Sequence, residues 1–189
     1  MNLLFEIEDH KMPDIRGLQY IPDFITQGEE QALISKIDDQ PWLNDLKRRV
    51  QHYGYKYDYK ARSVTPDSHL GPLPDWLKGT TDKLLFQPDQ AIVNEYLPGQ
   101  GISAHIDCEP CFDSTIASLS LGSSVIMQFT HAKTKQKEEL YLKPRSLVVL
   151  SNEARYEWQH AIPARKSDMA DGFKIQRDRR ISITYRNVI

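Results

Sequence analysis

His105 and Asp107 are separated by one residue. On an extended strand the side-chain period is two, so an imidazole and a carboxylate at this spacing point to one face. Joined by a second, distant histidine, they would occupy three positions on one side of an iron ion and leave three cis positions open. A lone His-x-Asp carries little weight, because a histidine bonded to a neighbouring carboxylate gives the same pattern. The candidates for a third ligand are His52, His69, His131 and His160. His160 follows the apolar run Leu147–Leu150 and can return to the same barrel mouth. His131 opens the Lys-rich stretch with Lys133, Lys135 and Lys137, which reads as solvated.

Open cis positions on iron suit a bidentate 2-oxoacid and dioxygen, and a 2-oxoacid with a second carboxylate needs a cationic clamp. The stretch Arg179–Arg186 supplies one. Period two puts Arg180, Ser182, Thr184 and Arg186 on one face and Ile181, Ile183 and Tyr185 on the other. An arginine at each end of a polar stripe is costly to bury without partners. The two Cα atoms would lie ~20 Å apart, so the arginines serve opposite ends of a site. The competing reading is an edge strand facing water. Asn94 and Tyr96 share a face on the strand before His105, and Gly99 and Gly101 permit a sharp turn between the two strands.

These groups must be carried by a fold. The 189 residues, 40% hydrophobic and 26% charged, suit one soluble domain. A net charge of −2 excludes a global basic footprint for nucleic acid. Residues 1–8 lack a basic n-region and a cleavage site, and no apolar run reaches the ~18 residues needed to span a bilayer. Two cysteines, Cys108 and Cys111, are too few for a disulfide framework. Their C-x-x-C spacing lacks the second ligand pair of a zinc site and the βαβ context of a redox motif. The expectation is a reducing, cytoplasmic setting, with no membrane and no role for the cysteine pair.

Thr26-x-x-Glu29 is a capping-box pattern ahead of Leu33, Ile34 and Ile37, which predicts a helix over roughly 27–40. A second helix is predicted over 75–86. From Gln90 short β-branched and aromatic runs recur at 91–97, 101–107, 115–121, 124–130, 138–143, 146–151, 154–161 and 179–188. Leu121-Gly122-Ser123-Ser124 reads as a hairpin turn, and 163–178 as a mobile loop. Eight short strands without long helices between them indicate a sandwich or jelly roll. The expected architecture is mainly β with an N-terminal helical layer: residues 1–88 carry helices and a substrate lid, and 89–189 the core. Tyr53, Tyr55, Tyr57 and Tyr59 alternate as on one strand face, among Arg48, Arg49, Lys56 and Lys60. Aromatics interleaved with cations suit a nucleic-acid surface, although a half-buried strand gives the same pattern.

Taken in order, Asn-x-Tyr-x-Pro-Gly from Asn94, His105-x-Asp107, Ser118-Leu119-Ser120-Leu121-Gly122, His160 and Arg180-x5-Arg186 resemble the AlkB family of iron(II)- and 2-oxoglutarate-dependent dioxygenases. The resemblance covers about residues 48–188 and implies a double-stranded β-helix. It implies iron ligation by His105, Asp107 and His160. It puts Asn94, Tyr96 and Arg180 on 2-oxoglutarate, with Arg180 on the far carboxylate and Arg186 near the metal-bound end. Ser182 stands where some members carry Asn and joins that set. With O2 as second cosubstrate, the implied reaction is oxidative dealkylation of alkylated DNA or RNA bases, releasing formaldehyde, succinate and carbon dioxide. The alternatives are hydroxylation of a tRNA base or protein side chain, and a binding module without turnover. Gly54-Tyr55-Lys56-Tyr57 resembles the family's nucleotide-recognition lid, which makes Tyr55, Tyr57, Arg48 and Arg49 candidate substrate contacts. Glu109, two residues beyond Asp107, would face the target base if the strand continued.

Overall fold

The computed structural model describes residues 11–44 and 46–189; residues 1–8, read above for a signal peptide, lie outside them. Two antiparallel sheets face each other. The larger contains β1 (Leu18–Ile21), β2 (Val50–Tyr53), β3 (Gln90–Tyr96), β5 (Ile116–Gly122), β8 (Leu147–Leu150) and β12 (Arg180–Arg186), in the order β1-β8-β5-β12-β3-β2. The smaller contains β4 (Ile102–His105), β6 (Val125–His131), β7 (Lys137–Leu142) and β9 (Trp158–Ile162), in the order β4-β9-β6-β7. A separate pair, β10 (Ser167–Ala170) and β11 (Phe173–Gln176), stands beside them. This is the expected jelly roll.

Alternation decides what each face does. On β12, Ile181, Ile183 and Tyr185 are buried with Ala117, Leu119 and Leu121 of β5 and Ala91 and Val93 of β3. Burial of each of the isoleucine, leucine and valine side chains is worth ~1.5–3 kcal/mol. The opposite face of the sheet turns Asn94, Ser182, Thr184 and Arg186 toward the smaller sheet. Between the sheets, Tyr96, Ile116, Met127, Phe129, Val148, Leu150 and Ile162 form an apolar cluster. A polar stripe thus runs through an otherwise dry interior, as the period of β12 predicts.

Several expectations change. The edge-strand reading of the last strand fails, because β12 pairs with both β5 and β3 and is central. The helical layer reduces to α1 (Gln27–Asp38), capped by Thr26 and Glu29 as read from the sequence, with Leu33 and Ile37 buried. The second predicted helix is a 3-10 turn, Asp75–Leu77, followed by one α turn, α2 (Lys78–Thr81). Residues 121–124 are no hairpin: they carry the chain from β5 in one sheet to β6 in the other. There Gly122 has φ 81° and its amide donates to Glu30 Oε1 at 2.8 Å. The stretch read as strand 154–161 begins as α3 (Asn152–Tyr156), and only then enters β9. The stretch read as a mobile loop is the β10–β11 hairpin. It is anchored by Asp168, whose carboxylate accepts from Arg165 and Arg177 at 2.7 Å each and from the Ile126 amide at 3.2 Å.

Candidate metal centre and cosubstrate cavity

Strand β4 ends at His105, where the ladder to β9 closes on His160. That pairing brings the two imidazoles together, with ring centroids 4.3 Å apart. Asp107 lies beyond the strand. Its backbone is held instead by Arg155 of α3, which is 2% exposed and donates to the carbonyls of Asp107, Cys108, Phe112 and Asp113. The carboxylate arrives beside both rings: Asp107 Oδ1 is 3.3 Å from His105 Nε2 and 3.7 Å from His160 Nε2. The possible donor atoms of these three residues lie within 4.8 Å of one another. One carboxylate oxygen and two imidazole nitrogens at this spacing could hold a divalent metal. His52, His69 and His131 are elsewhere: His69 packs on Tyr55, and His131 on Trp158.

Charge suits the same purpose. Burial works to raise the Asp107 carboxyl, but the Arg186 guanidinium, the His105 hydrogen bond and the nearby His160 outweigh it and hold it well below the carboxylate range. Burial pushes His160 down to about 4, so its ring is neutral and its lone pair free for a metal at neutral pH. His105 Nδ1 lies 2.7 Å from the Ser103 carbonyl, which orients the ring and leaves Nε2 facing Asp107.

A cavity of about 1400 Å³ runs from this cluster along β12 and β3. At its far end Arg180 is 2% exposed. Its Nη2 donates to Ser120 Oγ at 2.8 Å, while Nε and Nη1 have no partner among the described residues. Burial lowers its pKa to about 10, yet the group remains a cation at neutral pH. A buried guanidinium with two unused donors is costly unless an anion completes it. The carboxylate of a dicarboxylic acid fits that place. Cζ of the same guanidinium lies over the Tyr96 ring, 5.4 Å from the ring centroid, and Asn94 is one strand pair away opposite Ser182. The residues present therefore fit iron at one end and 2-oxoglutarate along the stripe.

Not every expected contact gathers here. Tyr57 and Tyr59 line the cavity and meet edge to face at 5.1 Å, whereas Tyr55 packs on His69 and Tyr53 on Trp76. The expected alternation breaks because β2 ends at Tyr53 and Gly54 takes φ 76°, with its α-carbon against the Asp89 carbonyl. Arg49 leaves the cavity: it forms a two-pronged pair with Glu95, which also accepts from Arg179. Arg48 stays, but its Nε donates to Asn94 Oδ1 at 2.9 Å, at the cosubstrate stripe rather than the rim. Glu109 is exposed on a turn at the cavity mouth, since the strand that would have aimed it stops four residues earlier. Cys108 and Cys111, expected as thiols, are joined by a disulfide. Sequence reasoning missed Tyr59 as a cavity wall and Arg155 altogether. A lone arginine on a five-residue helix has no periodic signal.

Residues 17–186 match the model of the 2OG-Fe(II) oxygenase superfamily. The chain is an iron(II)- and 2-oxoglutarate-dependent dioxygenase. Within that superfamily it belongs to the AlkB family. An uncharacterized protein of Acanthamoeba polyphaga mimivirus is 39% identical over 187 residues, covering 93% of this chain and 87% of that one. The alkylated DNA repair protein ALKBH8 homolog of Arabidopsis thaliana is 39% identical over 204 residues, covering 93% of this chain and 59% of its own. The tRNA (carboxymethyluridine(34)-5-O)-methyltransferase ALKBH8 of Mus musculus is 35% identical over 202 residues, covering 91% and 30%. The chain thus spans less than two thirds of the Arabidopsis relative and under a third of the mouse one. The solved structure of OsALKBH1 shares the fold, with a TM-score of 0.68 at 15% identity over 90% of this chain and 96% of that one. No helix among the described residues is long and apolar enough to cross a membrane.

Proposed function

We propose that this dioxygenase oxidises an alkyl substituent on a nucleic-acid base, with dealkylation and release of formaldehyde when the alkyl group is on nitrogen. The observation that carries this is the cavity mouth. Tyr57 and Tyr59 line the cavity that holds the His-Asp-His cluster, together with the exposed cations Lys47 and Arg62. Bases stack on such rings, and phosphates pair with such cations. A base in a duplex would have to be flipped to enter, whereas a single strand or RNA loop would not.

Iron(II) with 2-oxoglutarate and O2 supplies the oxidation of an unactivated C–H bond. The chain's residues position and exclude water. His105, Asp107 and His160 would hold the metal. Arg186 occupies the second oxygen of Asp107, with Nε and Nη2 each 2.9 Å from Oδ2, so that Oδ1 stays directed at the metal position. Arg180, with Nε and Nη1 unpartnered among the described residues and with Tyr96, Asn94 and Ser182 nearby, would bind the far carboxylate of 2-oxoglutarate. Ile116, Met127, Val148 and Leu150 form a dry wall beside them. At the mouth, Glu109 can accept hydrogen bonds from an exocyclic amine and favour a cationic alkylated base.

A second reading is hydroxylation of a tRNA base without loss of carbon. It is favoured by the 35% identity with the mouse tRNA (carboxymethyluridine(34)-5-O)-methyltransferase, against 25% with the DNA N6-methyl adenine demethylase of Caenorhabditis elegans. Anaerobic iron(II) and 2-oxoglutarate should give a visible charge-transfer band that His105→Ala abolishes. No band in folded protein would reject both readings. Methylated DNA and RNA oligonucleotides should then yield formaldehyde with succinate. Succinate without formaldehyde, with a tRNA base heavier by one oxygen, selects the second reading.

A further inference from the structure

Between the carboxylate of Asp107 and the ring of Phe112 the chain makes one tight turn, Cys108-Glu109-Pro110-Cys111. The amides of Cys111 and Phe112 both donate to the Cys108 carbonyl at 3.2 Å, and Arg155 holds the carbonyls on either side. The two sulfurs are joined, with Cα atoms 5.3 Å apart. Cys108 is half-buried and lines the cavity mouth, so a small reagent can reach it; Cys111 is buried beneath. Facing the bridge is the segment that carries the two rim tyrosines, residues 57–62. Its Arg62 carbonyl oxygen lies 3.3 Å from Cys108 Sγ and 3.6 Å from Cys111 Sγ. A disulfide has no proton to offer that oxygen, whereas either thiol would.

We propose that Cys108 and Cys111 are a dithiol–disulfide exchange site at the cavity mouth, and that reducing it fastens the rim segment by giving the Arg62 carbonyl an S–H donor. The turn suits reversibility. Its backbone hydrogen bonds and the Arg155 clamp do not depend on the S–S bond, so the sulfurs stay within reach in both states. The ring that the disulfide closes is short, so the bond constrains the unfolded chain little. Oxidation needs a low-molecular-weight disulfide. The Cys108 thiolate attacks one of its sulfurs, forms a mixed disulfide and releases one thiol. The Cys111 thiolate then attacks Cys108 Sγ, closes the protein disulfide and releases the second thiol. Two electrons pass to the reagent, and the two protein thiol protons leave on the released thiols. A small dithiol or thiol excess reverses each step.

The rim segment also touches the turn through Tyr57, whose ring lies 5.9 Å from that of Phe112, next to Cys111. The sulfur pair thus sits where the rim meets the loop that continues from Asp107, and neither the metal cluster nor the Arg180 end uses it.

The test uses anaerobic protein loaded with iron(II) and 2-oxoglutarate, equilibrated in oxidised or reduced glutathione. Alkylation followed by mass measurement should find no free thiol in the first and two in the second. Hydrogen exchange of the amides in residues 57–63 should be about two- to fivefold slower in the reduced protein, the range of one weak hydrogen bond. The double variant Cys108→Ala with Cys111→Ala should exchange fast in both buffers. Cys108→Ser with Cys111→Ala keeps a donor that cannot oxidise and should exchange slowly in both. A pair that resists exchange with glutathione overturns the proposal. Rim protection that is equal in the two states, or greater in the oxidised one, overturns it too. No nucleic acid enters these measurements, so the result is separate from that of the proposed reaction.

Discussion

Arg186 and Asp107 meet at a single oxygen: Nε and Nη2 of the guanidinium both lie 2.9 Å from Oδ2. The other oxygen, Oδ1, faces His105 and His160. The pair divides the carboxylate into one oxygen held by the protein and one left for a metal. The Arg186 charge also helps to keep the carboxyl ionised against burial. Arg186→Met should therefore weaken manganese(II) or iron(II) binding about 10- to 100-fold, corresponding to loss of a charged hydrogen bond worth ~1.5–3 kcal/mol. Metal titration of the variant, followed by quenching or calorimetry, checks this; an unchanged affinity would remove Arg186 from the site.

Arg180 should separate cosubstrate from metal. Arg180→Met deletes the two unused donors at the far end of the cavity. The Kd for 2-oxoglutarate should rise about 10- to 100-fold, with metal affinity unchanged. Thermal stability of the ligand-free variant should hold or improve, because a buried, underpaired cation is lost. A falling Tm with unchanged 2-oxoglutarate binding would make Arg180 a structural residue.

Asp168 should impose an acid limit on the β10–β11 hairpin. Burial acts to raise its carboxyl, but Arg177 and Arg165 outweigh this and hold it below the usual carboxylate range. A depressed folded-state pKa stabilises above the unfolded pKa and ceases to do so as pH falls through the folded value. Urea unfolding of the wild type should lose stability below about pH 4, whereas Asp168→Asn should be less stable at pH 7 and show a shallower acid loss. Parallel pH curves for the two proteins would contradict this.

Arg155 should matter more than its distance from the cavity suggests. Replacing it by Met leaves the buried carbonyls of Asp107 and Phe112 without their side-chain donor and removes one of the donors to Cys108. At ~1–3 kcal/mol for each buried group left unpaired, a loss of about 3 kcal/mol or more is expected. Denaturant midpoints should show it, together with weaker metal binding as the backbone of Asp107 loosens.

Glu109→Gln isolates the substrate. The residue is exposed at the cavity mouth and bonds to none of the three metal-cluster residues. The KM for an alkylated oligonucleotide should rise several-fold, with the Kd for 2-oxoglutarate unchanged. Equal losses in both would place the effect in the loop rather than in base contact.

The parts of this site that share one strand were legible from local period. Arg180, Ser182, Thr184 and Arg186 fall on one face because alternation is a property of the extended backbone. Asn94 and Tyr96 do so for the same reason, and the capping box at Thr26 and Glu29 is equally local. The tyrosine run was misread because its alternation needs an unbroken strand. Gly54 breaks it to avoid the Asp89 carbonyl, thirty-five residues later in the chain. Arg49 was misassigned because its partner Glu95 lies on β3, and Arg179, which shares that carboxylate, stands just before β12.

By itself, then, the sequence determined which residue types stand at metal-ligating and anion-binding intervals, and which strand faces are polar. Those are consequences of a period of two, which any extended segment obeys. Only the tertiary structure decided that β12 is central rather than an edge, that His160 closes the ladder opposite His105, and that Asp107 reaches both rings from outside the strand. Each depends on hydrogen bonds between segments far apart in the chain, and no local pattern encodes the partner of such a bond.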